Sequence, residues 1–159
     1  MTGLTGKILK YDLSTGRTEF IDTQHYAERF VGGRGVATAL YRDLVRPETD
    51  AASAENCLIM MTGPLACMPA IGGSRWGIFG KSSLPERDHF CYGNLGGYFG
   101  AEMKFAGFDG IVITGKAERL SLLEVDAEGI RLRECPEYVG MSAVETIETV
   151  KAETSGSKP

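Results

Sequence analysis

The sequence predicts an α+β fold made of two similar halves, each a sheet with a helix packed against it. Three observations carry this. Hairpin patterns and short apolar runs supply strands, with brief segments of helical spacing between them. Glycine is abundant, 21 of 159 residues, which suits a loop-rich β-containing domain better than a helical bundle. A pattern also repeats. Gly32-Gly33, a helix, the run "LIMM" and Thr62-Gly63 are echoed by Gly96-Gly97, a helix, "IVI" and Thr114-Gly115. One hairpin lies before the first copy and another after the second.

The elements follow in order. "GKILKYDLSTGRTEFID" reads as a hairpin in which Ile8 to Leu13 and Arg17 to Ile21 flank the turn residues Ser14-Thr15-Gly16. "TQHYAERFV" is a short helix with Thr23 as N-cap and a stop at Gly32-Gly33. "VATALYRDL" is a second helix, with Val36, Leu40 and Leu44 on one face and Pro47 beyond its end. A polar loop, Glu48 to Asn56, leads to the apolar strand "CLIMMTGP", broken by Gly63-Pro64. "RWGIFG" is a further strand, and "KSSLPERDHFCY" an irregular excursion around Pro85. "YFGAEMKFA" is a helix with Phe99 and Met103 four apart, stopped by Gly107, and "GIVITG" is a buried strand. "LSLLEVDAEGIRLREC" is a hairpin turning at Asp126 to Gly129. Ser142 and Glu145 have the spacing of a capping box and open the helix "AVETIETVKAE". The expected domain is 1–153, with 154–159 as a flexible tail.

Composition excludes several functions. The net charge is −4 and no Lys/Arg run exists, so a nucleic-acid backbone is not an expected partner. No apolar stretch approaches the roughly 18 residues of a membrane span. "MTGLTGKILKYD" lacks the layout of a signal peptide, so a cytoplasmic location is expected. Cys57, Cys67, Cys91 and Cys135 form no C-x-x-C and no zinc spacing with His25 or His89. Free, mostly buried thiols are the expectation.

The common catalytic patterns fail. "GGSRWGIFGKSS" has the ending of a phosphate-binding P-loop, but its first glycine would fall on Arg75 and Pro85 blocks the following helix. The dinucleotide fingerprint begins at Gly33 and Gly35 but breaks at Thr38, where Gly or Ala is wanted. No serine sits in a nucleophile elbow, and no catalytic residue is assigned. Binding chemistry remains. Three glycine-rich turns, "VGGRG", "IGGSRWG" and "GNLGGYFG", carry Arg34, Arg75 and Asn94. Glycines admit a ligand close to main chain, and an arginine fork suits phosphate. Tight bends with solvated arginines fit the spacing equally.

A resemblance bears on that choice. "GKILKYDLSTGRTE", "FVGGRGVATALYRDL", "SAENCLIMMTGPL", "GGSRWGIFGKSSL" and above all "NLGGYFGAEMKFAGFDGIVITGKAE" resemble the N-terminal domain of the tungsten-containing aldehyde:ferredoxin oxidoreductases, in order from Thr5 to Glu153. The resemblance implies two β-sheets with packed helices in two similar halves. It implies a surface for a bis-molybdopterin cofactor carrying tungsten or molybdenum, with Mg2+ bridging the phosphates. Arg75 would contact the cofactor, Asn94 would offer its backbone carbonyl to magnesium, and Gly96 and Gly97 would give room. Gly73 and Arg34 complete the candidate cofactor-binding set. The implied activity is oxidation of an aldehyde to a carboxylic acid, with electron transfer through a [4Fe-4S] iron–sulfur cluster to ferredoxin. Where the family reads T-K-S-P-L-T-G after the arginine strand, this chain has "GKSSLPER", which puts contacts there in doubt. The cluster cysteines, the second magnesium contact and the second pterin arginine would lie in further domains or a partner subunit, so the chain alone is expected to be inactive. The alternative is a cofactor-free interaction module, homodimeric or bound to a partner, with Trp76, Phe79, Tyr98 and Phe99 forming an exposed face.

Overall fold

The computed structural model describes residues 3–68, 72–84 and 87–154. It is an α+β structure with two sheets and four helices. Strands β1 (Lys7–Asp12) and β2 (Thr18–Asp22) form the first hairpin. Asp12 fixes its turn by accepting from the Ser14 and Thr15 amides at 2.8 and 3.1 Å. Helices α1 (Thr23–Phe30) and α2 (Gly33–Leu44) follow, then β3 (Cys57–Thr62). Next come β4 (Trp76–Leu84) and β5 (Arg87–Leu95), α3 (Phe99–Phe105) and β6 (Gly110–Thr114). The main sheet has the order β2-β1-β6-β3-β4-β5. The second sheet is the hairpin of β7 (Ser121–Asp126) and β8 (Gly129–Glu134). A 3-10 turn, Pro136–Tyr138, leads to α4 (Ala143–Thr154).

The two halves of the main sheet match in element order. Each supplies a hairpin, a helix opened by a glycine pair, and a central strand: β1–β2, α2 and β3, then β4–β5, α3 and β6. The central strands β3 and β6 lie side by side and antiparallel. The hairpins differ in direction, because β1 runs parallel to β6 whereas β4 runs antiparallel to β3. The hairpin that answers β1–β2 is β4–β5, which precedes the second glycine pair; the β7–β8 hairpin stands in its own sheet.

Period-two alternation sorts the core onto two faces. Ile8, Ile59, Met61 and Val112 pack with Ala27 of α1 and with Val36, Ala37 and Leu40 of α2. Leu9 and Ile111 face the other way, against Met103 of α3 and Phe108, with Met60, Ile113 and the hairpin residues Val125 and Ile130 at the margin. Side chains as fully buried as Ile59 and Leu40 each contribute about 1.5–3 kcal/mol relative to exposure.

Several local expectations are corrected. "KSSLPERDHFCY" is not irregular. It forms most of the β4–β5 hairpin, paired from Trp76↔Leu95 to Leu84↔Arg87. Pro85, on which that expectation turned, lies outside the described residues. Asp22, rather than Thr23, caps α1, accepting from the Gln24 amide at 2.8 Å. Helix α2 begins at Gly33, so the glycine run lies partly inside it. Cys57 and Cys135 are buried, but Cys67 and Cys91 are exposed, so burial of the thiols is half rather than general. The capping box forms: Ser142 N donates to Glu145 Oε2 at 2.7 Å and Glu145 N to Ser142 Oγ at 3.3 Å. Thr154 still belongs to α4, and the rest of the predicted tail lies outside the described residues. Among the described residues no helix is long and apolar enough to cross a membrane.

Candidate functional site

Strand register brings the glycine-rich turns to one end of the main sheet. Thr62 at the end of β3 pairs with Trp76 at the start of β4, and Trp76 pairs with Leu95 at the end of β5. Gly63-Pro64, the segment ending in Arg75, and Gly96-Gly97 therefore all leave the sheet there. The "VGGRG" turn joins them, since a Cβ on Gly32 would lie 2.9 Å from Pro64 Cδ and one on Gly33 would lie 3.8 Å from Gly63 Cα.

Arg75 and Asn94 are consequently neighbours. Asn94 pairs with Gly77 across neighbouring strands about 4.8 Å apart, and Arg75 stands two residues before Gly77, immediately ahead of β4. Arg75, Asn94, Gly96 and Gly97 are exposed, and Gly73 is half-buried in the approach to Arg75. Arg34 reaches the same strand from the first turn of α2. Its Nη1 donates to Tyr92 Oη at 2.7 Å, and its guanidinium lies 5.0 Å from the Tyr92 ring centroid. Tyr92 is two residues before Asn94, on the same strand face. The structure thus gathers Arg75, Asn94, Gly96 and Gly97, with Arg34 beside them through Tyr92.

The glycines at this end are of two kinds. A Cβ on Gly35 would come within 2.6 Å of the Phe30 carbonyl oxygen, so its absence lets α1 and α2 cross closely. Gly100 similarly lets α3 seat on the sheet, because a Cβ there would meet Thr62 Cγ2 and Trp76 Cβ at 3.1 Å. Gly96 and Gly97 are different: among the described residues, a Cβ on either would meet nothing within 4 Å. Gly97 has φ +83°, a conformation that favours glycine, but no packing among the described residues requires Gly96 to lack a side chain. The turn is nevertheless held, since Trp76 Nε1 donates to the Gly96 carbonyl at 3.1 Å and the Trp76 and Phe99 rings lie 4.5 Å apart.

Sequence reasoning missed the ion pair that anchors this turn from below. Asp109 is fully buried and accepts from the Thr5 and Gly6 amides, both at 2.9 Å. Lys104 Nζ, near the end of α3, lies 3.2 Å from Asp109 Oδ1 and also donates to the Gly3 carbonyl. The Asp109 carbonyl in turn accepts from both Thr62 N and Thr62 Oγ1, at 2.9 and 3.0 Å. One charged pair thereby ties α3, the entry to β6, the end of β3 and the N-terminal segment together. A lysine and an aspartate inside the otherwise apolar "MKFAGFDGIV" were the available signal.

Phe79, expected on an exposed aromatic face, is 2% exposed, because its ring lies under Gly77 and against the α2 side of the core. Tyr98 and Phe99 remain exposed at 84% and 42%, and Trp76 is half-buried. Burial pushes the Cys57 thiol up to about 12, which keeps it neutral and unreactive. The four cysteines are separate free thiols, and among the described residues no three His, Cys, Asp or Glu side chains cluster.

Comparison with known proteins covers nearly the whole chain. The family described as "Aldehyde ferredoxin oxidoreductase, N-terminal domain" matches residues 8–158. The tungsten-containing aldehyde ferredoxin oxidoreductase of Pyrococcus furiosus is 37% identical over 99% of the chain, and that of Thermococcus kodakarensis 33% identical over 99%. The aliphatic sulfonate oxidoreductase, WOR-like subunit, of Pyrococcus furiosus is 31% identical over 96%. Among solved structures, the active-site complex BamBC of benzoyl coenzyme A reductase with 1,5-dienoyl-CoA superposes with a TM-score of 0.91 at 31% identity, covering 99% of this chain and 24% of that one. The chain spans about a quarter of the length of these relatives, 26% for the first two and 24% for the third.

Proposed function

Since the chain belongs to the aldehyde ferredoxin oxidoreductase family through its N-terminal domain, we propose that it is the cofactor-holding part of a tungsten- or molybdenum-pterin oxidoreductase completed by further domains or a subunit. The observation that carries this reading is the bare main chain at Gly96-Gly97. A glycine that nothing among the described residues requires, beside an exposed arginine and asparagine, suits close approach of a bulky anionic group.

The residues fit such a group. Arg75 has a forked donor set suited to phosphate and would orient the phosphorylated end of a pterin. Asn94 would present its backbone carbonyl to Mg2+, a hard cation that takes oxygen ligands. Gly96, Gly97 and Gly73 would admit the group to main-chain distance. Arg34, restrained by Tyr92, would add positive charge at the rim. When bound, the metal-dithiolene group supplies the two-electron oxidation of an aldehyde to a carboxylic acid, the electrons leaving through a [4Fe-4S] cluster held elsewhere to ferredoxin.

The relatives' names support assigning this part to the cofactor rather than the substrate. Aldehyde, aliphatic sulfonate and benzoyl coenzyme A appear on proteins that share this domain. The substrate would then be selected by the remaining three quarters of the enzyme. The 159-residue chain alone should not reduce a viologen dye with an aldehyde, and turnover would contradict this division of labour. In the assembled enzyme, Arg75→Ala should lower pterin and metal content severalfold without unfolding the protein. Undiminished pterin and metal would sink the assignment.

A second reading has one observation in its favour. Val31, Leu65, Tyr98 and Phe99 are exposed by 59, 59, 84 and 42% near the same end, a surface suited to association. A module that lost the cofactor would bury it in a homodimer or partner. Metal and pterin analysis of the native complex separates the two, because the module would contain neither.

A further inference from the structure

A groove of about 650 Å³ runs between α2 and the β4–β5 hairpin, starting at Arg34 beside the glycine-lined end and extending along α2 to Pro47. Its apolar surface includes Phe30, Tyr41 and Phe90, with the Tyr41 and Phe90 rings 4.8 Å apart. Its charged lining is of one sign: Arg34, Arg42, Arg46 and Lys81, with no carboxylate among the described lining residues. This is unexpected in a chain of net charge −4. Nor are the cations neutralised in one another's company. Lys81 Nζ is held by the Pro47 and Thr49 carbonyls at 2.7 and 2.5 Å, which orient the ammonium without cancelling its charge. Arg34 bonds the neutral Tyr92 hydroxyl. Among the described residues only Arg42 has a carboxylate, Asp43 at 3.0 Å, and that carboxylate is shared with the Tyr26 hydroxyl at 3.2 Å.

We propose that this groove is a second binding site, for a small organic anion whose aromatic or aliphatic body lies on the Tyr41–Phe90 surface while its carboxylate, sulfonate or phosphate meets the cationic rim. The volume falls within the roughly 300–1,000 Å³ of small-molecule sites, which are apolar with a few placed polar groups. Cations held by neutral partners over low-dielectric aromatic walls attract anions more strongly than solvated surface lysines. Arg34 borders both this groove and the proposed cofactor end, whereas Arg42 lies eight residues along α2, about 12 Å away. The two sites are therefore separable by mutation.

The test uses the native assembly and the aromatic sulfonate 1-anilinonaphthalene-8-sulfonate as probe. Saturable fluorescence enhancement is expected, with hydrogen-exchange protection over residues 34–47. Displacement by 2-naphthoate should be at least about tenfold stronger than by the uncharged 2-naphthylmethanol, as expected when a charge-assisted contact is lost. The exposed double variant Arg42→Gln/Arg46→Gln should weaken the probe about tenfold, and Phe90→Ala should weaken both competitors, while pterin and metal content stay unchanged. The proposal is overturned if the probe does not bind, if the neutral analogue competes equally, or if the double variant binds like the parent. Protection confined to residues outside 30–47 and 81–90, or displacement by an acidic nonapeptide in preference to naphthoate, would likewise overturn it, the latter in favour of a polypeptide partner.

Discussion

Residues 32–35 and residues 96–97 look alike as sequence: a glycine pair beside aromatics, at the start of a helix, one half of the main sheet apart. In the structure their surroundings are opposite. Gly32 and Gly35 are pressed against Pro64 and the Phe30 carbonyl, so the first run is explained by the chain's own packing. Gly96 and Gly97 look outward, with their turn held by Trp76 and α3 behind it. Glycine therefore does two jobs on one scaffold: it closes a helix–helix crossing in one half and leaves main chain accessible in the other. Neither job is visible in the residue alone.

The comparison can be broken most severely through the anchor beneath the second run. Lys104→Met leaves Asp109 charged and buried, and should cost about 3–5 kcal/mol, read as a large fall in melting temperature. A near-neutral result would mean that α3 is held by something other than this pair. Next in size, Gly35→Ala forces a methyl to within 2.6 Å of the Phe30 carbonyl and should cost about 1–3 kcal/mol while cofactor content per folded molecule is unchanged. Loss of cofactor in that variant without loss of stability would erase the distinction between the runs.

The cysteines sharpen the same contrast with a smaller effect. Cys67, whose Sγ lies 3.3 Å from the Ala101 carbonyl of α3, and Cys91 are exposed and should be alkylated in the native protein. Cys57 and Cys135 should react only on unfolding. Because the folded thiol of Cys57 is raised from 9.0 to about 12, the unfolded chain ionises first. Its contribution to stability is complete below about pH 9 and is lost progressively between pH 9 and 12. Cys57→Ala should flatten that part of the stability–pH profile.

Much of the architecture was legible in the sequence because it rests on local rules. The first hairpin, β3, β6, the β7–β8 hairpin and the Ser142–Glu145 capping box follow from alternation, turn residues and cap spacing. The β4–β5 hairpin was not legible, since a proline between two strands and a proline inside an irregular loop give the same string. Its recognition would have required knowing that Trp76 pairs with Leu95, a non-local fact. The candidate site was legible only through the specific motif "GGYFGAEMKFAG", and even there Lys104 and Asp109 were passed over because their partners, Gly3, Thr5 and Gly6, lie about a hundred residues away.

The most direct measurement is the tungsten, molybdenum and pterin content of the assembled Gly96→Leu enzyme, taken together with its melting temperature. A side chain there enters space that no atom of the described residues fills. The prediction is a melting temperature close to the parent's, with stability changed by no more than about 0.5 kcal/mol, and cofactor content reduced severalfold. Full metal and pterin loading in a stably folded Gly96→Leu enzyme would contradict the account.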